Sequence, residues 1–189
     1  MHVIRFRTYR ETRWKNGGGV THEIARSGES PETDWRVSLA TIDRDGPFSD
    51  FAGFDRTIVP VEGAGFELSF DDGTRVVLGR LYEPFRFAGE KKVECRLLAG
   101  RSRDLNAMTR RSHWTHDVTT LPLAREPLAV DAPRLSFLFF AGDAIVSHGT
   151  ATIELSGGDT LGCEEEVRLG LTSSAPRSCA LLIRITRQE

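Results

Sequence analysis

Cysteine is scarce in this chain. Cys95, Cys163 and Cys179 make an odd count with no C-x-x-C spacing, which argues against a disulfide scaffold. Cys95 and Cys179 sit in apolar strand-like runs, where an inert buried thiol is expected rather than a nucleophile. Long apolar runs are missing too: the most apolar stretch, 135–141, falls far short of the ~20 residues of a membrane span. Residues 1–7 alternate charged and apolar side chains and lack the unbroken apolar segment of a signal peptide. The expected location is therefore the cytoplasm, with no membrane partner.

Histidine is present but never in the H-x-H spacing that lets one strand face chelate an ion. His113 and His116 are three apart and point to opposite faces of an extended strand; His22 adjoins Glu23; His2 and His148 are solitary. No metal and no cofactor are expected. The G-x-S-x-G elbow, the phosphate-binding P-loop and a helix-opening G-x-G-x-x-G are absent as well. A formal net charge of -2 excludes a chain-wide attraction to polyanions. Arg101, Arg103, Arg110 and Arg111 cluster in sequence without interleaved aromatics, so nucleic acid is not an expected partner.

What the chain has is short strand-like segments. Runs of four to eight residues rich in Val, Ile, Phe and Thr predict strands at 3–6, 20–25, 35–42, 56–61, 65–70, 74–78, 93–98 and 104–110. A second set is predicted at 115–121, 135–141, 144–148, 151–155, 159–163, 167–171 and 178–186. Asp71-Asp72-Gly73 and Ser156-Gly157-Gly158 supply the positive-φ residues of tight hairpins. Many short strands joined in series predict an all-β, antiparallel fold of sandwich or barrel type. Pro122, Pro127 and Pro133 suggest a connector, giving an N-terminal barrel at 1–111, a linker or crossover at 112–133 and a C-terminal barrel at 134–189, completed by N-terminal or linker strands. The cadence of the second half, hairpin, Gly-acid loop and final apolar strand, is that of a cupin, and the first half echoes it. A duplicated, bicupin double-stranded β-helix is the expected architecture.

The unusual material lies in the first half. Trp14-Lys15-Asn16-Gly17-Gly18-Gly19 joins an aromatic, a cation and an amide to three glycines, either a cradle for a ligand or a plain hairpin tip. Then come Trp35-Arg36-Val37-Ser38, Asp45-Gly46-Pro47-Phe48-Ser49, Gly53-Phe54-Asp55-Arg56 and Asp104-Leu105-Asn106-Ala107-Met108. In this order the motifs resemble those of the HutD/Ves family, W-x-N-G-G-G, W-R-x-S, D-G-P-F-S, G-x-D-R and D-L-N-x-M, over residues 14–110. The resemblance implies a bicupin without a catalytic metal, linked to bacterial histidine utilisation, that binds a small molecule such as formylglutamate and restrains the pathway. The Ves branch is associated with stress response.

The residues support a site on their own terms. Arg36, Ser38 and Ala40 share one strand face and Trp35, Val37 and Leu39 the other; Asp104, Asn106 and Met108 also share a face. Lys15, Arg36 and Arg56 can pair with a carboxylate, Asn16 and Asn106 with an amide or formyl group, and Asp55 or Asp104 can orient an arginine. The expected ligand-binding set is Lys15, Asn16, Gly17, Gly18, Glu23, Arg36, Ser38, Asp55, Arg56, Asp104, Asn106 and Arg110. Phe48, Phe51, Phe54 and Trp35 are expected in core and rim packing. Internal salt bridges, Asp55 with Arg56 and Asp104 with Arg110, are the bland alternative for the charged members.

The leading reading is a non-catalytic receptor for a small anionic metabolite. A cupin-type isomerase or hydrolase acting on a small carboxylate through Glu23 or Asp104 stays open beside it, as does a protein acting through an interface, with a homodimer among its options.

Overall fold

A computed structural model describes residues 1–28, 33–176 and 178–188. The strands are β1 (His2–Ile4), β2 (Arg10–Arg13), β3 (Gly19–Arg26), β4 (Trp35–Ile42), β5 (Gly46–Pro47), β6 (Phe54–Glu62), β7 (Phe66–Phe70), β8 (Arg75–Leu78), β9 (Phe85–Ala88) and β10 (Val93–Leu97). They continue as β11 (Ser102–Arg110), β12 (Trp114–Pro122), β13 (Leu128–Ala132), β14 (Ser136–Phe140), β15 (Ala144–His148), β16 (Ala151–Leu155), β17 (Thr160–Cys163), β18 (Val167–Thr172) and β19 (Cys179–Arg187). A single 3₁₀ turn at Phe6–Thr8 is the only helical element among the described residues. No helix there is long and apolar enough to cross a membrane.

Each predicted strand coincides with an observed one, and four more are present: β2, β5, β9 and β13. These escape a periodicity reading for physical reasons. β2 is exposed along its whole length and carries no apolar face, β5 has two residues, and β9 is a four-residue strand directly after Pro84. β13, together with β12, occupies the proline-bearing stretch 112–133 that reads as a connector; Pro122 ends β12 and Pro127 precedes β13, so the prolines bracket a strand instead of marking a linker.

The chain divides into two units. One comprises Met1–Tyr9 and His116–Thr186, the other Arg10–Thr115 with residues from Arg187 onward. The division between the halves lies at Thr115/His116, and the first nine residues are held by the C-terminal half. β1 pairs antiparallel with β17, and the Asp159 carboxylate accepts from Arg5 Nη1 (2.7 Å), the Phe6 amide (2.9 Å) and the Ser156 amide (3.0 Å). Tyr9 Oη donates to the Gly158 carbonyl (2.6 Å).

In this C-terminal unit, sheet β1-β17-β14-β19-β12 packs on sheet β13-β18-β15-β16. Leu138, Phe140, Leu161 and Leu182 from the first meet Val130, Val146, Leu169 and Leu171 from the second in one core. In the other unit, sheet β2-β3-β4-β11-β6-β9 packs on sheet β5-β10-β7-β8. Ile42, Ile58 and Phe87 there meet Phe66, Leu68, Phe70, Val93 and Cys95. Both are antiparallel two-sheet sandwiches of cupin type, and the apolar core of the second fills only part of its interior.

Candidate functional site

Strand register builds the site. β11 lies between β4 and β6, and its pairing sets Arg36, Met108 and Arg56 side by side at one level, Ser38, Asn106 and Ile58 at the next, and Ala40, Asp104 and Pro60 at the third. Side chains two apart on a strand share a face, so one interior surface carries Arg36, Ser38, Ala40, Arg56, Asp104 and Asn106. These line a recess of about 50 Å³ closed by Trp14, Phe48 and Phe51. The recess opens into an outer basin of about 650 Å³ with which it shares Trp14, Arg36, Phe48 and Phe51.

Aromatic rings fix the two guanidiniums. Phe51 lies 5.2 Å from the Arg36 guanidinium carbon and 5.0 Å from that of Arg56, and Phe48 (5.5 Å) and Phe87 (5.0 Å) also face Arg56. Each ring offers its negative face to the cation. Arg56 is only 6% exposed, and burial pulls its guanidinium down to about 10, with Asp104 opposing and Arg36 adding to the shift. Burial lowers Arg36 as well, against the pull of Glu23. Among the described residues neither arginine has an ion-pair partner, and the Nε of each is buried without a hydrogen-bond partner.

Asp104 is 1% exposed. Burial pushes its carboxyl up to about 7, although Arg56 and Asn106 both favour the ionised form. Asn106 links the charged pair: its Oδ1 accepts from Arg56 Nη2 (3.0 Å) and its Nδ2 donates to Asp104 Oδ2. Asp104 Oδ1 is left with no partner. Arg56 Nη1 also donates to the Ser49 carbonyl (3.3 Å), and Arg36 Nη2 approaches Met108 Sδ (3.5 Å).

The outer basin is cationic. Among the described residues, Arg10, Arg13, Lys15, Arg26 and Arg36 line it with one carboxylate, Glu23. A β-bulge shapes this rim. The register of β3 against β4 shifts between Glu23 and Ala25, so Glu23 opposes Ser38 while Arg26 opposes Arg36. The extra residue turns both Glu23 and Arg26, three apart in sequence, toward the basin, where they pair at 3.6 Å.

Of the predicted set, Arg36, Ser38, Arg56, Asp104 and Asn106 meet in the recess, and Lys15, Asn16 and Glu23 stand on the basin. Four lie elsewhere. Asp55 projects from the opposite face of β6, where partial burial would raise its carboxyl but hydrogen bonds from Arg86 and Arg111 (2.7 Å each) hold it below the ordinary carboxylate range. Arg110, at the end of β11, covers the Phe54 ring (4.8 Å) and pairs with Asp34 (3.5 Å). The pairings Asp55 with Arg56 and Asp104 with Arg110 are thus replaced by these others.

Gly17 and Gly18 belong to the turn between β2 and β3. The Gly17 amide donates to the Trp14 carbonyl (3.0 Å) and the Gly18 amide to Asn16 Oδ1 (2.9 Å), so neither is aimed at the cavity. Of the three glycines 17–19, Gly19 is the one whose added Cβ would run into backbone, at the Thr41 carbonyl. Phe48 and Phe51, expected only in packing, are walls of the recess and partners of its arginines. Their loop has no periodicity that would reveal this; the nearest signal is an aromatic at each end of a short turn next to a predicted arginine strand.

Among the described residues no group of three or more His, Cys, Asp or Glu is placed to hold a metal ion. What the arrangement can do is hold an anion between two oriented guanidiniums, in a space too small for more than a carboxyl-sized group, while the basin accommodates the remainder of a longer molecule.

Comparison with known proteins adds to this. The sequence model of the HutD family matches residues 6–181. A Pseudomonas putida protein described as an uncharacterized 21.2 kDa protein in the hutC 3' region is 42% identical over 109 residues, 56% of this chain and 56% of that one. Protein Ves of Cronobacter sakazakii is 38% identical over 99 residues, 52% of this chain and 54% of that one. The chain thus spans little more than half the length of the curated relatives it matches. The solved structure of HutD from Pseudomonas fluorescens SBW25, in a formate condition, is 30% identical with a TM-score of 0.80, covering 100% of this chain and 99% of that one. A cupin barrel protein from Leptotrichia buccalis, 9% identical with a TM-score of 0.60 over 99% of this chain and 96% of that one, shares the fold alone.

Proposed function

The chain belongs to the HutD family, linked by name to histidine utilisation, and we propose that it is a non-catalytic cytoplasmic receptor for a small anionic metabolite, of which formylglutamate is the leading candidate. One observation carries the reading. Arg36 and Arg56 face a common cavity without an ion-pair partner among the described residues, oriented by the phenyl ring they share. A buried guanidinium without a counter-ion is costly unless a ligand supplies one. The cationic basin around the recess supports the same sign of ligand and its capture from solution. A carboxylate in the recess with a chain reaching Lys15, Arg10 or Arg13 would use both compartments, which favours a dicarboxylate over a simple acid. Bound-state stabilisation of such a receptor would report pathway flux to histidine degradation.

Thermal-shift titration with formylglutamate, glutamate, urocanate and formate tests the proposal, because a ligand held only by the folded state raises stability by mass action. Formylglutamate is expected to raise Tm at millimolar concentration and to lose that effect in Arg36→Met. Absence of a shift with all of the compounds would remove the basis for the reading.

A cupin-type enzyme acting on a small carboxylate is the second reading. The observation in its favour is Asp104, whose carboxyl lies at about 7, the range suited to a general acid or base. Product formation followed by NMR, and lost in Asp104→Asn, would establish it over the receptor.

A further inference from the structure

The recess contains a carboxyl group as well as two cations, and this constrains how an anion can enter it. Resting on the proposal that the recess is an anion site, we infer that anion binding there is coupled to the uptake of one proton, held on Asp104 between its free oxygen and the ligand. The geometry is that of an acceptor facing an incoming acceptor. Asp104 is a lining residue of the recess; its Oδ1 is enclosed and has no hydrogen-bond partner among the described residues, while Oδ2 is taken by Asn106. An ionised Asp104 would meet an arriving carboxylate lone pair to lone pair in a space with little water to screen them, and two carboxylates sharing such a site do not both stay ionised. A proton from solvent on Oδ1 turns that oxygen into a donor to the ligand, and the ligand's charge is then balanced by the guanidiniums of Arg36 and Arg56.

The surroundings of Asp104 allow this. Arg56 on β6 is the cation that acts on it, through Asn106 on its own strand; on β10 the Cys95 thiol is raised in part by the Asp104 charge; Arg36 on β4 and Glu23 on β3 lie further out and act on each other. Burial already outweighs the pull of Arg56 and holds the Asp104 carboxyl at about 7. The receptor is therefore poised so that a small change in cytoplasmic pH changes its affinity. Below that pH the empty recess holds the proton in advance, and binding changes no protonation; above it each binding event takes up one proton from solution.

Formate, small enough for the recess, is the probe. Calorimetric titration of the full chain with formate at pH 8, in two buffers of different ionisation enthalpy, is expected to show an uptake close to one proton per formate, and at pH 5.5 close to none. The dissociation constant is expected to be flat below about pH 6.5 and to rise toward about tenfold per pH unit above 7. Asp104→Asn, which keeps a donor at that position, is expected to bind formate with a flat profile and no uptake. Formate binding in the unaltered chain with equal affinity at pH 6 and pH 8.5 and no buffer-dependent heat would overturn the inference while leaving the anion recess intact. So would a pH profile that persists in Asp104→Asn. No formate binding at any pH would overturn the anion recess and the inference together.

Discussion

Arg56 and Asp104 occupy the same cavity without a direct ion pair: Asn106 stands between them, accepting from the guanidinium and donating to the carboxyl. The two charges are thereby linked yet kept apart, each with capacity left for a third group. An arginine neutralised by a bidentate carboxylate would have little left to offer an anion.

Asn106→Leu is expected to break that link and leave Arg56 Nη2 and Asp104 Oδ2 buried without partners. The loss should be about 2–4 kcal/mol. Urea unfolding checks it, and a loss below about 0.5 kcal/mol would show that the bridge is not what holds the two groups.

Arg36→Met should separate binding from folding. Among the described residues the Arg36 side chain makes no ion pair, and its contacts are the Phe51 ring and a weak one with Met108 Sδ; a methionine can still lie against the ring, so stability should change by no more than about 1 kcal/mol. Affinity for formylglutamate should fall by about thirtyfold, the equivalent of about 2 kcal/mol for one charge-assisted contact. Equal affinity in the variant would place the anion elsewhere.

The Asp104 carboxyl gives the unliganded protein a pH signature of known sign. Below about pH 4 both folded and unfolded chains hold this proton; from there to about 7 only the folded chain does. Its contribution to stability is therefore full at the acid end, is lost as pH rises through this window and levels off above it. The difference in unfolding free energy between the unaltered chain and Asp104→Asn should fall from pH 5 to pH 8. A difference that rises with pH would mean that Arg56 outweighs burial.

Gly19→Ala is expected to destabilise by about 1–3 kcal/mol, because the added methyl meets backbone at Thr41 and cannot be accommodated by a side-chain rotation. Gly18→Ala meets only the flexible Asn16 side chain at 3.2 Å and should be milder. If Gly18→Ala proves the more damaging of the two, the turn is not held as described.

Much of the fold was legible in the sequence because strand composition and hairpin turns are local properties. Alternation within 35–42 and 104–110 already assigned Arg36 with Ser38 and Asp104 with Asn106 to shared faces. Local pattern says nothing about strands that lack it. The exposed β2 and the short β5, β9 and β13 exist because neighbouring strands offer them open edges, and for β5, β9 and β13 those edges are made by residues far away in the chain.

The sequence by itself determined which residues carry charge and polarity into the first barrel, and that no disulfide or histidine pair is available to it. Tertiary structure alone decided which of them meet. The register of β4, β11 and β6 sets Arg36 level with Arg56 on either side of Met108, a residue far from both in the chain, and the bulge in β3 turns Arg26 to the basin. Asp55, one residue from Arg56, is sent to the opposite face by the two-residue period of a strand. The pairing of Asp159 with Arg5 gave the first nine residues to the other unit. Such choices rest on long-range hydrogen-bond registers and on the burial that shifts Asp104, and neither is encoded in any short stretch of sequence.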